Sequence, residues 1–195
     1  MGKFENFDLL IEKYSKEYER ILSKSGFYPS LGSIGFQERN LTVNFSKAYE
    51  QMFPTALAWF EFQFKVEKNH KHVDCLIFDK ESQRIILIEA KRLNSNRKLK
   101  GIKEDIERIN NFAREDQINL SGNKRLRIED LSLHRNQYHF FGLILADIWK
   151  EGTQQPLIID NCSASDGDFI FPFEIASRFL GGQYNLIYHL WEIKQ

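Results

Sequence analysis

Two apolar runs joined by a short polar segment constrain this chain more than anything else in it. "HVDCLIF", His72 to Phe78, and "RIILIEAKRL", Arg84 to Leu93, flank "DKESQ". Both runs suit strands, and the segment between them has the length of a hairpin loop. Ile85 to Ile88 form an unbroken aliphatic run, as in a strand buried on both faces, yet Glu89 and Lys91 follow directly, separated by Ala90. Side chains alternate along a strand, so Ile85, Leu87, Glu89 and Lys91 share one face, as do His72, Asp74, Leu76 and Phe78 on the preceding strand. If residues 80–83 form the loop, Asp79 faces Arg84, Phe78 faces Ile85 and Asp74 lies opposite Glu89. Directly opposed residues have Cβ atoms roughly 4.5–5.5 Å apart. A slip of one residue would turn the two carboxylates to opposite faces.

Two carboxylates side by side at an apolar sheet repel, which drives one of them to hold a proton. A divalent cation between them removes that conflict, and hard oxygen ligands suit magnesium or manganese. Lys91 projects on the same side, within reach of a metal-bound water or a phosphate oxygen. Two acids and a lysine around a cation form a compact device for hydrolysing a phosphodiester.

The rest of the chain supplies a frame for that hairpin. Phe4 to Ser25 has helical spacing through Phe7, Leu10, Ile11, Tyr14, Tyr18, Ile21 and Leu22, and Gly26 ends it. A second helix is expected from Gln37 to Phe53, before Pro54, and "LAWFEFQF" reads as a strand with Glu61 and Gln63 on one face and aromatics on the other. "KLKGIKEDIERINNFARED" returns to the helical period through Leu99, Ile102, Ile106, Ile109 and Phe112. "YHFFGLILADIW" is another buried strand, followed by a short helix over Pro172 to Leu180 and a last strand, "YNLIYHLWEIK". This order predicts one α/β domain with a mixed sheet. Residues 1–34 form a helical extension, 35–149 the core, and 150–195 complete the fold.

Composition narrows the partners. Lysine plus arginine balances aspartate plus glutamate at 27 each, so any nucleic-acid surface must be local. The two cysteines, Cys75 and Cys162, lack metal-ligand spacing, which fits a reducing cytoplasm. The charged N-terminus does not read as a signal peptide, and the run around "FFGLILADIW" is too short to cross a bilayer, so no membrane partner is expected.

"VDCLIF" followed by "ILIEAK" resembles the PD-(D/E)xK nuclease superfamily, whose pattern is an Asp on one strand and an acidic-x-Lys triplet on the next. The resemblance covers Gly35 to Trp149 in the order of motifs and elements; Val73 stands where the motif often has proline. It implies a restriction-endonuclease-like mixed central sheet flanked by helices, here with an added N-terminal helix. It also implies a Mg2+- or Mn2+-dependent nuclease, for which DNA is the expected substrate and RNA stays open. Asp74 and Glu89 would ligate the metal with the Ala90 carbonyl, and Lys91 would be the catalytic lysine. "GFQERNL" is similar to the family's acidic helix and nominates Glu38 over Glu50. Such enzymes often work as dimers, and the first helix offers a surface, although packing on the sheet is the simpler use for it.

Plainer readings compete at each position. Glu89 and Lys91 also fit a solvated strand end, Asp74 a loop cap, and Glu38 the stabilisation of a helix start. His72 reads as a surface bystander. Arg92, Arg97, Lys98, Lys100 and Lys103 leave the proposed site with no acid among them, as a solvated face or as contacts to DNA phosphates. Lys124, Arg125 and Arg127 form a second basic cluster, and Asp105 and Arg108 are spaced to pair with each other. The rival to an enzyme is a catalytically inactive nucleic-acid- or protein-binding module on the same fold.

Overall fold

The computed structural model describes residues 4–25, 38–66, 69–93, 96–114, 137–149, 174–179 and 184–193. Its elements run α1 (Phe7–Ser25), α2 (Arg39–Met52), β1 (Leu57–Val66), β2 (Asn69–Asp79), β3 (Arg84–Leu93), α3 (Asn96–Arg114), β4 (His139–Trp149), β5 (Glu174–Phe179) and β6 (Tyr184–Glu192). The strands form one mixed six-stranded sheet in the order β1-β2-β3-β4-β6-β5. Among the described strands only β3 and β4 pair in parallel, and α3 lies between them in sequence, which gives them the crossover that parallel neighbours need.

The β2–β3 hairpin has the expected register, with Asp79 opposite Arg84, Phe78 opposite Ile85 and Cys75 opposite Ile88. Asp79 shapes its corner. The buried carboxylate accepts the Ser82 N–H at 3.0 Å and the Tyr49 hydroxyl at 2.9 Å, so the turn is tied to α2. Ile85 to Ile88 are fully buried because helices cover both faces of the sheet. Cys75, Ile77, Ile86 and Ile88 pack with Leu10, Tyr14 and Tyr18 of α1 and Leu41 and Phe45 of α2. Leu76, Ile85 and Leu87 pack with Ile109 of α3. Phe7, Leu10, Ile11, Tyr14 and Tyr18 of the α1 stripe are thus buried inside the chain. Among the described residues, no helix is long and apolar enough to cross a membrane.

Two expectations are corrected. Glu174–Phe179, expected as a short helix, is β5, paired antiparallel with β6. Satisfying the outer edge of β6 outweighs a weak helical period. The face alternation of β1 also fails. Phe60 packs against the first cluster and Phe62 lies in the second, because Glu61 between them has φ 51°, a left-handed conformation that turns the strand over. On β2 the break recurs at the facing position, where Val73 belongs to the second cluster and Cys75 to the first.

Candidate active site

The break in alternation coincides with the parting of two strands. The paired register of β2 and β3 ends at Cys75 and Ile88, although β3 continues to Leu93 and β2 starts at Asn69. Beyond that point the inner edge of β3 has lost its strand partner. In an extended strand the N–H and C=O of one residue point to the same side, and residues two apart repeat that direction. Ala90 and Arg92 therefore both address the gap, and two acidic side chains replace the missing ladder. Asp74 Oδ2 accepts the Ala90 N–H at 2.7 Å. Glu38 Oε1, from the start of α2, accepts the Arg92 N–H at 2.9 Å. Glu38 occupies the N-cap of α2 and makes no side-chain capping bond, so its contact here is with the strand.

Glu89 and Lys91 meet α3 on the other side of the gap. The Arg108 guanidinium holds Glu89 Oε1 through Nη2, and the same nitrogen lies 2.7 Å from Asp105 Oδ1. Asp105 Oδ2 in turn lies 2.9 Å from Lys91 Nζ. Glu89, Arg108, Asp105 and Lys91 thus form a chain of alternating charge, with both carboxylates buried and both cations only partly exposed. Asp105 and Arg108 pair with each other, as their spacing suggests, but they also bridge to β3. The signal for this was present. Asp105 falls within the stripe marked by Ile102, Ile106 and Ile109, where an acid needs a partner inside the fold.

Burial pushes Glu89 up to about 8, reinforced by the charges of Asp74 and Asp105 and opposed by Arg108. Burial also raises Asp74, against the Ala90 N–H and Lys91, while Glu61 and Glu38 add to the rise. For Lys91, burial favours the neutral amine. The Asp105 contact and the charges of Asp105, Glu89 and Asp74 outweigh it and leave the ammonium raised. Lys91 is therefore a proton-bearing donor at neutral pH, not a base.

Four carboxyl groups (Glu38, Asp74, Glu89 and Asp105) and two cations (Lys91 and Arg108) meet around the gap, where burial and the charge of Asp74 favour a proton on Glu89. Asp74, Glu89 and the gap-facing Ala90 carbonyl are hard oxygen donors of the kind magnesium takes alongside water. Among the described residues, no group of three or more His, Cys, Asp or Glu side chains is arranged to hold a metal by itself. Any cation held here would take its remaining ligands from the backbone and from solvent.

The other nominated residues lie around this centre. Arg92 is turned to the opposite sheet face, with Nε 3.5 Å from Oδ1 of the fully buried Asp147, which Tyr18 also approaches. Lys103 is exposed on α3. Arg97, Lys98 and Lys100 occupy the first turns of α3, with side chains outside the described residues, as are Lys124, Arg125, Arg127 and Cys162. His72 is exposed. No family model, curated protein or solved structure matches this chain.

Proposed function

We propose that this chain is a Mg2+- or Mn2+-dependent nuclease that hydrolyses phosphodiester bonds of DNA in the cytoplasm, on a restriction-endonuclease-like fold. The observation that carries this reading is the parting of β2 from β3 at Asp74. It draws two acids, a lysine and strand backbone to one gap at the end of a buried strand. A strand end needing only solvation has no use for a buried glutamate or for a second acid in place of the ladder.

Asp74, Glu89 and the Ala90 carbonyl are the groups that would hold the cation. When bound, the cation supplies a neutralised phosphate and a more acidic water. Lys91, kept cationic by its acidic neighbours, donates a hydrogen bond to the attacking oxygen or to the phosphate oxygen that gains charge. Asp105 positions Lys91, and Glu38 fixes the continuation of β3 and adds negative charge beside Asp74.

Plasmid cleavage tests the proposal, with magnesium, manganese or EDTA and with the native chain beside Lys91→Ala. Nicking that needs metal and is lost in the variant supports it. The internal pairing of Glu89 with Arg108 and of Lys91 with Asp105 favours a second reading, a binding module whose charged cluster only braces the sheet. DNA retention without cleavage under every metal condition would establish that alternative.

A further inference from the structure

We infer that Arg108 is a phosphate-binding arm that rests on Glu89 until a divalent cation takes that carboxylate. This rests on the nuclease reading and adds a residue that the acid-acid-lysine pattern does not contain. Arg108 is poorly used where it lies. A guanidinium carries five donors in a planar fork, suited to gripping two oxygens of a carboxylate or phosphate. Here a single nitrogen, Nη2, serves both Glu89 and Asp105, and Nε is buried with no hydrogen-bond partner. The side chain keeps 24% of its surface in contact with solvent, so it borders the gap instead of being sealed beneath it.

Charge supplies the direction of change. With no cation present, the Arg108 guanidinium is the positive group in contact with Glu89. A dication on Asp74 and Glu89 would supply that charge itself and repel the guanidinium. Asp105 remains one turn away on α3 as a pivot, and a phosphate oxygen of a bound strand is a partner that suits the freed guanidinium fork. Cation uptake and DNA binding are then coupled through one side chain, and each strengthens the other.

The test separates metal from DNA affinity in the native chain, Arg108→Met and Arg108→Lys. Mn2+ binding is read by electron paramagnetic resonance without DNA. Binding of a short fluorescein-labelled duplex is read by anisotropy in Ca2+. Arg108→Met should bind Mn2+ at least as tightly as the native chain, while its Ca2+-dependent DNA affinity falls about tenfold or more. Arg108→Lys keeps a charge without the fork, should hold Mn2+ no less tightly, and should lose an intermediate part of the DNA affinity. It supplies the comparison should the methionine variant not fold. Weaker Mn2+ binding in a folded variant would show that Arg108 only braces Glu89, and unchanged DNA affinity would also overturn the inference. No Mn2+ uptake by the native chain would instead remove the nuclease reading itself, whereas a failure confined to the Arg108 variants leaves it standing.

Discussion

Replacing Glu89 by glutamine should make the protein more stable in alkaline solution and abolish the proposed metal site. The Glu89 carboxyl is pushed from its ordinary value of 4.5 up to about 8, by burial first and by Asp74 next. The folded state therefore holds a proton that the unfolded chain has already released, and between these two values stability falls as pH rises. Above pH 8 the full cost is present, and below about 4.5 it vanishes. At about 1.4 kcal/mol per unit the ceiling is about 5 kcal/mol. Relaxation of the gap and sharing of the proton with Asp74 should reduce that to about half, or ~5–10 °C in melting temperature for a chain of this size. Glutamine mimics the protonated carboxyl, so in EDTA Glu89→Gln should melt well above the native chain at pH 9 and level with it at pH 4.5. Magnesium should then raise the melting point of the native chain at pH 9 and leave the variant unmoved. If the variant is no more stable at pH 9, or its advantage does not grow with pH, the picture of a strained buried carboxylate is wrong.

Other substitutions probe separate links. Glu38→Gln can still accept the Arg92 N–H, so stability should change by less than about 0.5 kcal/mol while plasmid cleavage drops at least tenfold; unchanged cleavage would make Glu38 a purely structural residue. Asp79→Ala leaves the Tyr49 hydroxyl and the Ser82 N–H without their acceptor and should cost about 2–4 kcal/mol in urea unfolding. Gly142→Ala would place a methyl group 2.1 Å from the Trp191 ring, on a strand paired on both sides. A loss of about 2–3 kcal/mol is expected, with a red shift in tryptophan emission as Trp191 is displaced.

The hairpin was legible because two independent constraints agree on it. Loop length fixes the pairing, and the parity of the apolar residues admits no neighbouring register. The same logic extends to α3, whose period places Ile102, Ile106 and Ile109 inward. Strand order was not legible, since nothing local tells β4 to pair with both β3 and β6. Nor was β5, where Ile175, Phe179 and Leu180 have a helix-like spacing that only an open strand edge overrides.

The site shows a sharper division. Asp74, Glu89, Lys91 and Glu38 could be nominated from their order along the chain, but the bridge of Asp105 and Arg108 to β3 and the opening of the sheet could not. That opening lies beside Glu61, an exposed glutamate held at φ 51° with no glycine to announce the turn. A left-handed residue of this kind costs about 1–2 kcal/mol and persists only where surrounding structure enforces it. Here it stands at the β1 position facing Asp74, where it reverses the pleat, and where the β2–β3 ladder stops. Strain in β1, the lost ladder of β3 and the raised carboxyls of Asp74 and Glu89 are thus local costs at one place. The buried run from Ile85 to Ile88 lies next to that place and stabilises the sheet against all three, which is why the greasiest part of β3 and its charged end adjoin.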